Sequence, residues 1–172
     1  MKIEKIIERI GNFKVSEETE DYEICEFFDN IRNELPESIS LTKSQKEKLI
    51  KGLFGFLKNQ NPEMGENFSF IHFIEDIDTP NYEIYNSELK RFNKGNGTIT
   101  SILLLNRYIN SLKGDEWKEN LELMKTISEN KTYSEYIREF ALDFYESQIH
   151  RNSNNPQIPR KTIWSKIKSL WN

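Results

Sequence analysis

His72 has neighbours that suggest acid–base or metal chemistry. Glu75 and Asp76 follow it by three and four residues, so one helical turn sets two carboxylates beside the imidazole. A metal site needs further nitrogen or sulfur ligands, and the chain holds only one other histidine, His150, and one cysteine, Cys25. Neither the HExxH spacing nor the ExxH spacing of di-iron bundles occurs. His72 therefore reads as a structural residue, with an enzyme built on His72 and Glu75 or Asp76 as the minority reading. Nucleophilic chemistry fares no better. There is no Gly-x-Ser-x-Gly elbow, and Cys25, within Ile24-Cys25-Glu26-Phe27-Phe28, reads as a small apolar core residue. The run Lys94-Gly95-Asn96-Gly97-Thr98 precedes a helix but lacks the P-loop spacing and a preceding strand, so it reads as a loop. The expectation is a protein that is not an enzyme and uses no cofactor and no metal.

What the sequence offers instead is charged surface. Residues 15–37 hold nine acids (Glu17, Glu18, Glu20, Asp21, Glu23, Glu26, Asp29, Glu34, Glu37) against one base, Arg32. Glu75, Asp76 and Asp78 form a second cluster at a helix end where acids are unfavourable. Glu135, Glu139, Asp143 and Glu146 follow one helix face as a third. Each cluster reads either as a solvated face or as a docking face for a basic protein, where complementary charge speeds encounter and selects partners. Tyr82, Tyr85, Tyr133 and Tyr136 lie near these clusters, and tyrosine is a favoured interface anchor.

The elements that must carry these groups have a helical period throughout. Ile3, Ile6, Ile7 and Ile10 mark a first helix, ended by Gly11. A second is predicted from about Thr19 to Glu34, with Tyr22, Phe27 or Phe28, Ile31 and Leu35 inward and Pro36 as its stop. A third starts at the capping box Thr42-Lys43-Ser44-Gln45, with Gly52 and Gly55 weakening it. Phe68, Phe70, Ile71, Phe73, Ile74 and Ile77 cannot share one narrow stripe, which predicts a helix buried on several sides. Asp78-Thr79-Pro80 reads as the start of the next, with Tyr82, Tyr85, Leu89 and Phe92 on one face. Further helices are predicted over Thr98–Leu112, after Gly114-Asp115, and from a Ser134 cap onward with Tyr136, Ile137, Phe140, Ala141, Phe144 and Tyr145 inward. No segment alternates as a strand. The expected fold is all-α, eight to nine helices in antiparallel pairs, as a HEAT-like or α-solenoid-like curl or an irregular bundle. The two apolar helices Phe70–Ile77 and Ile102–Ile109 lie 32 residues apart, which favours the stacked-pair reading.

The chain has 172 residues and a net charge of -4. That sum divides unevenly: residues 1–150 carry 19 basic and 28 acidic side chains, or -9, whereas residues 151–172 carry five bases and no acid, or +5. The expected organisation is one helical domain over 1–150, a linker over 151–160 rich in Asn and Pro, and a short amphipathic helix over 161–172 with Ile163, Trp164, Ile167, Leu170 and Trp171 on one face. That last helix is expected to fold back onto the acidic body rather than to bind a membrane. An acidic body makes nucleic acid an unsuitable partner. The amino terminus is interrupted by Glu4, Glu8 and Arg9, which does not fit a secretory signal, and no run is long enough to span a membrane. A cytoplasmic protein is expected; oligomeric state is left open.

Three blocks carry a likeness. Phe68-Ser-Phe-Ile-His-Phe-Ile-Glu-Asp-Ile-Asp78, Ser101-Ile-Leu-Leu-Leu-Asn-Arg-Tyr-Ile-Asn-Ser111 and Tyr136-Ile-Arg-Glu-Phe-Ala-Leu-Asp-Phe144 together resemble helical immunity proteins of bacterial polymorphic and contact-dependent toxin systems, over roughly residues 65–147. The resemblance implies a small cytoplasmic protein that binds one cognate toxin domain, often a nuclease with a basic cleft, and blocks it; it carries no catalytic signature. The expected toxin-binding residues are Glu17, Glu18, Glu20, Asp21, Glu23, Glu75, Asp76, Asp78, Tyr82, Tyr85, Glu135, Glu139 and Asp143. The alternative is a non-enzymatic helical scaffold or adaptor with the C-terminal helix as a hook.

Overall fold

The computed structural model describes residues 3–152 except 17, 38, 39 and 66. The expected linker and amphipathic helix lie, from residue 153 onward, outside the described residues, as does Glu17. Among the described residues there are eight α-helices and no strand: α1 (Ile3–Asn12), α2 (Asp21–Glu34), α3 (Lys43–Lys58), α4 (Phe68–Asp76), α5 (Glu83–Asn93), α6 (Ile99–Ile109), α7 (Gly114–Glu129) and α8 (Glu135–Asn152). They divide into two compact units, and the division falls after Leu104, within α6.

In the first unit the closest helix neighbours are α1 with α3, α2 with α4, and α3 with α5. Phenylalanine dominates the space between them. Phe28 is fully buried. Its ring lies 5.0 Å from that of Phe70, 5.1 Å from Phe27, 5.2 Å from Phe56, and 6.2 Å from Phe13 and from Phe73. Most of these rings meet edge to face, the arrangement their quadrupoles favour. A chain with one alanine and one valine but eleven phenylalanines fills its core with few, large pieces.

Caps and polar ties fix the ends. The Thr42 hydroxyl accepts from Gln45 N–H at 3.3 Å, while the Gln45 side chain accepts from Thr42 N–H at 2.8 Å, which is the predicted capping box. The buried Gln60 side chain holds the α1–α2 connection, accepting from Val15 N–H at 3.2 Å and donating to the Phe13 carbonyl at 3.4 Å. Between α5 and α6, Thr98 and Ser101 exchange side-chain and backbone hydrogen bonds, and Ser101 Oγ donates to Asn93 Oδ1 at 3.0 Å. All three residues are buried, so this network satisfies groups that would otherwise be costly.

Both glycines of α3 are helical, but for different reasons. A Cβ at Gly52 would lie 3.2 Å from Ile7 Cγ2, so this glycine lets α1 approach α3 closely, whereas a Cβ at Gly55 meets nothing within 4 Å. Gly55→Ala is therefore expected to stabilise the protein by about 0.5–1 kcal/mol through helix propensity alone. Gly52→Ala is expected to gain less or to lose, because Ile7 must shift. Urea midpoints of the two variants check the contrast.

In the second unit α7 packs closely against α8. Leu121, Met124 and Ile127 of α7 and Ile137, Phe140 and Ala141 of α8 are buried. Ile137 N–H donates to the predicted Ser134 cap at 3.4 Å. Gly114 opens α7 at φ +63°, a conformation that suits glycine. The buried Gln148 donates to Asn106 Oδ1 and Asn110 Oδ1, both at 2.7 Å, which ties α8 to the end of α6. Burial raises the Tyr108 hydroxyl above its ordinary value of 10.0, helped by the neighbouring charge of Glu116, whose carboxylate accepts its proton at 3.3 Å. A raised folded-state value favours the neutral phenol. Its contribution to stability is thus present below pH 10 and lost as pH rises through the raised value. Phenolate absorbance should show a late-titrating component that Tyr108→Phe removes and Glu116→Gln shifts down.

Several expectations are corrected. Tyr22 is 66% exposed rather than inward, because the buried stripe of α2 is Ile24, Phe28 and Ile31, and Tyr22 lies on the opposite side. Phe68 is 57% exposed and His72 is exposed, so α4 turns one strip to solvent while Phe70, Ile71, Phe73 and Ile74 are buried. Tyr136 is exposed as well. Helix α1 continues through Gly11 to Asn12, and α8 continues through His150 to Asn152. Asp78-Thr79-Pro80 does not begin α5: Thr79–Pro80 is a cis peptide within a turn, Tyr82 sits at φ 57°, and the helix starts at Glu83.

Candidate functional site

The packing of α2 on α4 sets Arg32, from the first acidic stretch, against Asp76 of the second. At one end Asn67 Nδ2 donates to Cys25 Sγ at 3.3 Å, while Asn67 Oδ1 caps α4 by accepting from Phe70 N–H at 2.9 Å. At the other end the Arg32 guanidinium pairs with the Asp76 carboxylate. The residue order of these two ties shows that α2 and α4 run in the same direction. Between them α2 presents Glu26 and Asp29 to solvent.

The acids of these two stretches are not equivalent. Glu18, Glu20, Asp21 and Glu23 are exposed at the start of α2, where negative charge complements the helix dipole. The Glu23 carboxylate also accepts from Glu20 N–H at 2.9 Å, so it has a structural task. Glu34 is held by Arg9 of α1 at 2.5 Å. Glu75 and Asp76 are half-buried at the end of α4. Asp76 is unfavourable there by the dipole argument alone, and Arg32 compensates it.

Two candidates leave the surface set. Asp78 is only 3% exposed, and its Oδ2 accepts from Ile84 N–H at 2.7 Å and Tyr85 N–H at 3.1 Å. It caps α5 from outside the helix. Its Oδ1 lies 3.8 Å from Lys46 Nζ, which also donates to the Thr79 carbonyl at 3.3 Å. Tyr85 is buried in the core. Tyr82 is exposed at the head of α5. Glu135 and Glu139 are exposed and Asp143 half-buried on α8, in the second unit.

Sequence reasoning missed a groove in the first unit. Its volume is about 620 Å³, and it opens at the end of α2 and α4 beside the Arg32–Asp76 pair. Leu35, Leu41, Phe73 and Ile77 form its apolar floor, and Asn33, Glu37 and Thr79 join the pair around it. The available signal was Leu35 and Leu41, apolar residues flanking Pro36 in a connection.

Of the two carboxylates weighed as partners of His72, one is already paired. Asp76 is engaged by Arg32, and the His72 ring lies 6.4 Å from that of Phe68. Among the described residues no group of three or more His, Cys, Asp or Glu is placed to hold a metal ion, and no helix is long and apolar enough to cross a membrane. No protein-family model, no curated protein and no solved structure matches the chain.

Proposed function

We propose that the chain is an immunity protein: it binds a cognate bacterial toxin domain one to one and neutralises it by covering the active site or an exosite. The supporting observation is that the exposed acids of residues 18–37 accompany an apolar groove lined by Glu37 and the Arg32–Asp76 pair. Such a region complements a basic surface, and a nuclease cleft, which must hold a phosphate backbone, is basic for that reason. A standard interface buries about 800 Å² per partner, so several helices take part. In this reading the protein acts in the cytoplasm, without cofactor. The neighbour pattern of the first unit, in which alternate helices pack on each other, supports a two-layer stack of the α-solenoid kind.

The test is capture, by the tagged full chain, of the protein encoded immediately upstream. A one-to-one complex is expected at low salt, with an association rate that falls about tenfold or more as salt rises from about 20 to 500 mM. No complex at low salt overturns the function. A complex with a salt-independent association rate overturns the electrostatic part alone.

A further inference from the structure

We propose that the groove beside the Arg32–Asp76 pair is the anchor point for the partner, and that its occupant is an apolar side chain of tryptophan or leucine type flanked by lysine or arginine on a protein surface. The inference rests on the proposed function and narrows it to one of three acid-bearing regions. Binding energy concentrates where an aromatic or aliphatic anchor fills a pocket ringed by polar groups that exclude water. The α2–α4 groove has both parts: a floor of Leu35, Leu41, Phe73 and Ile77, and charged groups around it.

Charge decides the class of occupant. Arg32 is the only base within residues 15–37, and it is spent on Asp76. Lys46, which donates to the carbonyl of the groove-lining Thr79, is likewise faced by Asp78, so Glu37 on the groove and exposed Asp29, one turn before Arg32, leave the surroundings net anionic. An anionic lipid surface or a nucleic acid is repelled there, and so is the acidic body of a second copy, which carries -9 over residues 1–150. A protein segment with bases beside an apolar anchor satisfies both floor and surroundings.

The probe is a five-residue peptide with one tryptophan between two Lys-Arg pairs, titrated into the isotope-labelled full chain. One control replaces the tryptophan by glycine, and a second replaces the bases by glutamates. The tryptophan peptide is expected to bind at least about tenfold more tightly than either control and to shift the signals of Leu35, Leu41, Phe73 and Ile77. Asn33→Trp, which plugs the groove from an exposed position, and Glu37→Lys, which reverses its charge, should each weaken binding several-fold while leaving the melting curve in place. Equal affinity for the glycine control, or shifts centred on Glu135 and Glu139, overturns the proposal. Tighter peptide binding by the full chain carrying Trp164→Asp and Trp171→Asp also overturns it, by making the chain's own C-terminal segment the occupant. If Asn33→Trp still captures the upstream-encoded protein with full affinity, the groove assignment falls and the function stands. If groove titration succeeds and no toxin complex forms, the function falls and the groove stands.

Discussion

Phe28→Ala is expected to cost about 4 kcal/mol, the largest loss from any single truncation in the first unit. Phe28 is fully buried, and five other phenylalanine rings, Phe13, Phe27, Phe56, Phe70 and Phe73, lie within 6.2 Å of its own. Removing the ring deletes its transfer energy and leaves a cavity walled by rigid aromatics, which collapse poorly into empty space. The edge-to-face pairs add about 0.5–1.5 kcal/mol each beyond buried area. Against a typical stability of about 5–15 kcal/mol, the variant stands near the limit of folding. Phe28→Leu retains most of the volume and should cost about half as much. Urea unfolding of the three proteins, followed by the far-ultraviolet helical signal, gives the order wild type, leucine, alanine. A loss below about 1 kcal/mol for the alanine variant would mean that the ring cluster does not hold α2 on α4. Because that packing also builds the candidate site, the loss should carry over to partner binding.

The helices were legible because a 3.6-residue apolar period survives unusual composition. In α2 the spacing marked Ile31 and left Phe27 and Phe28 as alternatives, of which Phe28 is the buried one, while Ile24 went unmarked; in α7 Leu121, Met124 and Ile127 follow one face by spacing alone. The Thr42–Gln45 box was legible because both partners lie within one turn. Tyr22 and Phe68 were misplaced because an aromatic was taken as inward on type, whereas direction follows from its angle to the stripe. Long-range polar pairing left no local signal. Arg32 finds Asp76 across 44 residues, and Gln148 finds Asn106 across 42. The candidate site shares this division. Its acids could be read from the sequence, but the pairing of Arg32 with Asp76 needed the α2–α4 contact, and the groove needed Leu35 and Leu41 to meet Phe73 and Ile77. The dipole argument marked Asp76 and Asp78 as costly, and the structure shows how that cost is met. Arg32 neutralises the first, and the second serves the start of the following helix rather than the end of its own.

That use of Asp78 carries the second large effect. Asp78→Ala is expected to cost about 3 kcal/mol, and Asp78→Asn about 1 kcal/mol. The carboxylate accepts from Ile84 N–H and Tyr85 N–H, which have no intrahelical acceptor in the first turn of α5. The helix has no cap of its own, since Tyr82 at the cap position makes no side-chain cap bond. Alanine therefore leaves two donors unsatisfied in a buried place, and it also leaves Lys46, whose side chain is 14% exposed, without its nearest carboxylate. Asparagine keeps an acceptor oxygen for the two donors and loses the charge facing Lys46. The alanine-minus-asparagine difference thus reports the cap, and the asparagine loss reports the ion pair. A double variant, Asp78→Asn with Lys46→Met, removes both charges and should recover part of the asparagine loss, because a buried pair replaced by apolar volume is often neutral. Hydrogen exchange locates the effect: the amides of Ile84 and Tyr85 should lose protection in Asp78→Ala before those of α3 do. If both variants melt with the wild type, Asp78 is not the cap that holds the start of α5.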